Sequence, residues 1–248
     1  MESAVTHEDE LNASRTALTG TALQRAKIAT RALVSLLRNP NDTKQVFLLG
    51  TATGRRALPM LLTRIVLSDE GGRMIREQPS IDSKHVDYVA LRKLPDGTLG
   101  REYVRFLDDN RLDPDLFQPP PGLPQIPAYV SQRMRQTHDI WHVLTGYTPD
   151  VPGEVALQAF SYAQARTPLS LLIAIFGSIR NSVKHPGIIG KSIDGYRRGK
   201  KAAFLPSVWL EEMWALPLEE ARRRLSIDAV NMPSQVQSPK GEDLSRLT

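Results

Sequence analysis

"HVDYVALRKLPDGTLGREYVRFLDDN", residues 85–110, decides whether this 248-residue chain is all-helical or mixed. Asp96-Gly97 in its middle is a strong short signal for a two-residue β-hairpin turn. The second half argues the other way, because Tyr103, Phe106 and Leu107 stand three and four apart, the spacing of one helix face. Pro95 is a natural stop for the helix before it. We read the stretch as helix, turn, helix.

The flanking sequence repeats that pattern. In "TALQRAKIATRALVSLLRN", residues 21–39, Leu23, Ile28, Leu33 and Leu36 or Leu37 recur at nearly helical spacing. The run stops at Asn39-Pro40-Asn41-Asp42, where Asp42 can cap the next helix. "GRRALPMLLTRIVLSDEGGRMIREQPS", residues 54–80, predicts a helix, a break near Asp69 to Gly72, and an end before Pro79. Residues 113–127 hold six prolines and a glycine, the composition of a linker or an extended surface segment. Residues 190–227 predict two helices separated near Pro217. The expectation is one all-α domain over residues 16–230, with a flexible N-terminus (1–15) and a polar, disordered tail (231–248).

Composition narrows the chemistry. The hydrophobic fraction of 41% suits a packed globular protein. The absence of cysteine excludes disulfides, thiolate nucleophiles, iron–sulfur clusters and thiolate zinc sites, so any metal must bind through His and carboxylate. A net charge of +5 favours anionic partners, but no nucleic-acid motif is present, and no nucleic-acid partner is expected. The acidic N-terminus "MESAVTHEDELNASR" has neither the apolar core of a secretory signal nor the Arg-rich character of a transit peptide. The most apolar run, "LSLLIAIFGSI" from Leu169 to Ile179, is shorter than the roughly 20 residues that span a bilayer and reads as a buried helix.

One stretch carries candidate chemistry: "THDIWHVLTGYTPDVPGE", residues 137–154. Nothing breaks a helix from Ala128 to Leu144, and Gly146 with Pro149 ends it. At about 100° per residue, His142 lies about 40° from His138 and Asp139 about 100° from it, so the three share a sector. Two imidazoles at i and i+4 can chelate one ion. Past the turn, Asp150 is a plausible N-cap, Pro152 fits a first helical turn, and Glu154 opens a returning helix from which it can face back. Two nitrogens and two carboxylates suit zinc best and also admit manganese or iron, with magnesium less natural beside imidazole. Spacing alone leaves a second reading open, an acid-capped helix N-terminus with a His–Asp surface pair.

Taken together, His138-Asp139-x-x-His142, eleven residues, then Glu154 resembles the hallmark of the coenzyme Q biosynthesis protein four family. The resemblance extends to "LPDGTLGREYVRFLDDNRLDPD" upstream and to "RRGKKAAFLPSVWLEEMWALPLEEARRRLSI" downstream, and covers about Arg31 to Ile227. It implies an all-α fold and a divalent metal, usually zinc, held by His138, Asp139, His142 and Glu154. It further implies an adjacent apolar channel for a polyprenyl tail and a place in ubiquinone synthesis. That place is either an organiser of the pathway's enzymes or a catalyst replacing the ring C1 carboxylate by hydroxyl. Self-association and contact with quinone-pathway enzymes also follow from the resemblance. The Pro-rich segment, the details from Trp141 to Asp150 and the missing presequence depart from it, and point to a bacterial-type relative at the cytoplasmic face of the plasma membrane.

Other residues add to this reading. The returning helix places Glu154, Leu157, Gln158, Ser161 and Tyr162 on one side, polar at the metal end, with a nearly all-apolar stretch after Thr167. We therefore name Arg135, Gln158 and Tyr162 as candidate substrate-binding residues, Arg135 to pair with an anionic head group. The stretch after Thr167 is either plain core or the lining of a tail channel. "YRRGKK", residues 196–201, is either a solvated turn or a contact with an anionic membrane. His7, His85 and His185 have no partner pattern. Three functions fit: a metal-dependent enzyme on a prenylated aromatic ring, a lipid-binding scaffold, and a structural metal staple.

Overall fold

A computed structural model describes residues 13, 16–17, 19–38, 43–54, 56–116 and 123–230. Helices α1 (Ala22–Arg38), α2 (Thr43–Thr53), α3 (Ala57–Val66) and α4 (Asp69–Glu77) precede the short α5 (Tyr88–Arg92) and α6 (Leu99–Asn110). Then follow α7 (Gln125–Gln136), α8 (His138–Thr145), α9 (Val151–Ala165), α10 (Pro168–Asn181) and α11 (Ile188–Lys201). Two 3-10 turns, Leu205–Ser207 and Leu210–Met213, lead to α12 (Leu218–Arg224), which begins directly after Pro217. No strand occurs among the described residues. The expected flexible ends, the stop at Asn39 to Asp42 with its cap, and most of the Pro-rich segment lie outside them.

The ambiguous stretch resolves as helix, turn, helix, with a physical reason for its strand-like signal. Gly97 takes a left-handed φ of +80°, and the first amides of α6 bond to a distant loop. Leu99 N donates to Leu216 O and Gly100 N to Trp214 O, each at 2.9 Å, while Leu218 N donates back to Gly97 O at 2.7 Å. One isolated bridge, Thr98 to Pro217, is all the sheet geometry present here.

Helix starts follow local chemistry. Thr21 and Gln24 cap α1 reciprocally, side chain to backbone, at 2.8 and 3.3 Å. Ser68 accepts from Gly71 N at 3.1 Å and so sets the break between α3 and α4.

The main core packs Tyr103, Val104 and Leu107 of α6 against Ile140, Trp141 and Leu144 of α8 and Ala156, Leu157 and Phe160 of α9. Each of the valine, leucine, isoleucine and phenylalanine side chains contributes about 1.5–3 kcal/mol by leaving water. Helices α9 and α11 approach through glycine: a Cβ on Gly195 would lie 2.3 Å from Ala156 O, and one on Gly199 2.6 Å from Phe160 O. Buried Gln164 ties the same elements together, donating to Gly199 O at 2.6 Å and accepting from Leu205 N at 2.9 Å.

Two expectations change. The helix expected from Ala128 to Leu144 starts earlier, at Gln125, and has a joint at Thr137. Thr137 Oγ1 donates to Arg133 O at 2.9 Å, the back-bonding that bends helices, while Trp141 N still donates to Thr137 O at 3.0 Å. The apolar run from Leu169 to Ile179 is a helix but not a buried one. Its small residues Ser170, Ala174 and Ser178 face inward, whereas Ile175 and Ile179 are 45% and 62% exposed. Only small side chains fit there because α10 lies close against α9: a Cβ on Gly177 would sit 2.7 Å from Val155 Cγ2.

Candidate metal centre

The turn between α8 and α9 builds the site. Gly146 ends α8 in the left-handed region at φ +76° and lets Gly146 N cap His142 O. Asp150 Oδ1 accepts from Gly153 N at 2.8 Å, Pro152 occupies the first turn of α9, and Glu154 follows within that turn. The far end of α8 is pinned from outside. Arg222 donates to Leu144 O and Val143 O at 2.8 and 2.9 Å, and Val230 N donates to Thr145 O at 2.9 Å.

His138, His142 and Glu154 converge: one ligand atom from each lies within 4.8 Å of the others. His142 Nε2 is 3.1 Å from Glu154 Oε1, and His138 Nε2 is 3.4 Å from Glu154 Oε2. The two imidazoles stand edge to face, with centroids 4.9 Å apart. His142 is buried, and its ring stacks on Phe106 at 5.3 Å.

The hydrogen-bond inventory tests whether these residues fit an ion. His142 Nδ1 is 2.9 Å from Tyr147 O, and a carbonyl can only accept, so Nδ1 carries the hydrogen. In a neutral ring, Nε2 then presents a lone pair to a carboxylate oxygen. That contact is repulsive until a proton or a cation stands between them. Metal-ligating histidines are held in this way, with one nitrogen spent on a backbone carbonyl and the other left bare.

Electrostatics agree with a cation at this point. Burial works to raise the Glu154 carboxyl, but hydrogen bonds and positive charge from His138 and His142 hold it well below the usual range. Burial works to lower His138, yet the Glu154 hydrogen bond and charge, with Asp139, leave it raised. Asp139 is raised by burial, against the pull of both histidines. Its carboxylate does not join the group of three ligands.

These directions set a pH dependence. A raised His138 stabilises the metal-free fold at low pH, and that contribution is lost as pH rises through its folded value. A depressed Glu154 contributes above its unfolded value and loses that contribution only in strong acid. A divalent ion must expel the proton from His138. Zinc affinity should therefore fall by about tenfold per proton per pH unit below the folded value of His138. Competition with a chelating dye between about pH 6 and 8 measures it, and a flat profile would exclude His138 as a ligand.

The other named residues lie at varied distances. Arg135 is one turn before His138 on α7 and half-buried, and burial pushes its pKa down to about 10. Gln158 is one turn past Glu154 and half-buried. Tyr162 is about 12 Å along α9 from Glu154, where it stacks on Tyr196 at 6.1 Å and lies beneath the Arg166 guanidinium at 5.3 Å. His85 pairs with Asp82 at 2.6 Å. Sequence reasoning did not single out Phe106, the Tyr147 carbonyl or Arg222. The Arg222–Arg224 run was legible, but not its target.

The family model described as "Coenzyme Q (ubiquinone) biosynthesis protein Coq4" matches residues 15–231. This chain belongs to the Coq4 family. Among Coq4 relatives, the zebrafish (Danio rerio) mitochondrial ubiquinone biosynthesis protein COQ4 homolog is 37% identical over 213 residues, covering 83% of this chain and 77% of that protein. The human mitochondrial homolog is 33% identical and covers 86% and 82%. The crystal structure of a Nostoc punctiforme protein assigned to ubiquinone biosynthesis is similar with TM-score 0.67 and 25% identity, covering 82% of this chain and 99% of that one. The Coq4 family is involved in ubiquinone biosynthesis, and a bacterial-type member is consistent with the Nostoc neighbour.

Proposed function

We propose that His138, His142 and Glu154 hold a divalent cation, zinc foremost, beside which a prenylated quinone precursor or prenyl phospholipid places its polar head. The observation that carries this reading is the ligand count. His138, His142 and Glu154 bring one potential ligand atom each to within 4.8 Å of one another, the protein share of a catalytic-type zinc site, which leaves a further position to solvent or substrate. When bound, the ion supplies a Lewis acid for a ring oxygen or carboxylate. Tyr147 O fixes the His142 tautomer, Phe106 holds its ring, and Glu154 brings a carboxylate within reach of both imidazoles. Half-buried Arg135, one turn earlier in the chain, would pair with the anionic head, and Gln158 would offer hydrogen bonds one turn along α9. Tyr162, two turns on, would meet the first part of the tail.

Two roles share this geometry. Exchanging the ring C1 carboxylate for hydroxyl releases CO₂ and removes electrons from the ring. It therefore needs an oxidant, dioxygen or a redox-active metal, because zinc has no redox chemistry. A carrier that presents the lipid to quinone-pathway enzymes needs none. No helix among the described residues is long and apolar enough to cross a membrane, so we place the protein in peripheral contact with a membrane face.

Native mass spectrometry on gently purified protein, with elemental analysis, tests the reading. About one metal per chain with a co-purified or added prenyl ligand, and weaker binding as the tail is shortened, is expected. Turnover of a prenylated hydroxybenzoate under oxygen then marks a catalyst, and its absence a carrier. A metal-loaded protein whose ligand affinity ignores the head group would overturn the proposal.

A further inference from the structure

We propose that α10 and the first half of α11 form the surface by which this protein docks on an anionic lipid bilayer. This names the face for the peripheral contact proposed above, and it stands without the metal reading.

The packing of α10 reverses the order expected of a surface helix. Ser170, Ala174 and Ser178 are turned inward, while Ile175 and Ile179 point out, and Val183, just past the end of the helix, is 90% exposed. Ile189 and Ile193 on α11 add two more half-exposed branched side chains. Small residues against neighbouring helices and large apolar ones outward is the arrangement of helices that adjoin lipid. An exposed apolar face of this kind marks an interaction site.

Charge selects the occupant. Arg180, Lys184 and Lys191 are exposed beside the apolar residues, and no Asp or Glu occurs between Glu154 and Asp194. A second copy of the chain would fit poorly, because a two-fold interface sets a patch against itself and would bring these cations together with no carboxylate to meet them. An anionic bilayer supplies negative head groups and an apolar interior in one surface, with side chains entering roughly 5–10 Å. The basic run from Tyr196 to Lys201, for which the sequence left open a solvated turn or a membrane contact, is less suited. Arg198 there is paired with Asp194 at 2.5 Å, and Tyr196 is stacked on Tyr162.

Flotation of the full chain with phosphatidylcholine vesicles, with and without phosphatidylglycerol and free of prenyl lipid, tests the assignment. Capture by the anionic vesicles is expected, weakened by salt. Lys184→Glu with Lys191→Glu should lower it at least roughly 25-fold, fivefold for each cation removed. Ile179→Glu with Val183→Glu should abolish it. All four sites are exposed, so helical circular dichroism should persist; should the Glu pair unfold, Val183→Ser carries the same comparison. Glu154→Gln should float like wild type, so a failed metal site would leave this result untouched. Wild type that ignores anionic vesicles, apolar-face variants that still bind, or a wild-type dimer that those variants dissociate would each overturn the proposal, the last in favour of a second copy.

Discussion

Glu154→Gln should leave a folded protein that no longer holds its metal. The amide is nearly the size of the carboxylate but cannot offer a charged oxygen to an ion. The loss in zinc affinity should exceed the roughly 10–100-fold that outer-shell changes cost. Without the carboxylate both imidazoles can stay neutral, so no buried charge is left unpaired, and with the Glu154 side chain 41% exposed metal-free stability should change by no more than about 1 kcal/mol. Elemental analysis and thermal melting, each with and without chelator, check both halves. A melting temperature that collapses together with the metal content would mean that the ion staples α8 to α9. Unchanged zinc content would remove Glu154 from the ligand set.

The largest loss of stability should come from a residue far from any motif. Arg133 is 3% exposed and makes a paired contact with Glu211, Nη1 to Oε1 at 2.6 Å and Nη2 to Oε2 at 2.5 Å. It joins α7, which leads into the metal helix, to the second 3-10 turn. Arg133→Ala strands a largely buried carboxylate and should cost about 3–5 kcal/mol, or roughly 10 °C in melting temperature for a chain of this size. Replacing both partners, Arg133→Met with Glu211→Met, removes the charges together and should recover most of the loss. A single variant within about 1 kcal/mol of wild type would show that the pair is screened by solvent. Coupling of this kind, across 78 residues of sequence, had no signal in residue order.

The candidate site was more legible than its supports. His138, His142 and Glu154 stood out because helical periodicity and a capped turn are local rules: Gly146 must end α8, Asp150 must start α9, and the distance between them is short. Asp139 shared a sector with the histidines by angle alone. Its carboxyl is felt electrostatically by His138 but is not among the three groups that converge. Leu169–Ile179 was misread for a related reason. Composition shows that a helix is apolar but not which side its neighbours leave open, and here the close approach of α9 through Gly177 admits only small side chains.

By itself the sequence determined the all-helical class, most of the helix boundaries, the family and three side chains that converge, because each depends on contacts within a few residues or on a motif. Tertiary structure alone decided that Tyr147 O and Phe106 hold His142, that Arg222 pins α8, that Arg133 is buried on Glu211, and that α10 leaves Ile175 and Ile179 exposed. Those outcomes depend on which distant surfaces meet, and burial there is set by close packing between elements rather than by the local pattern of either one.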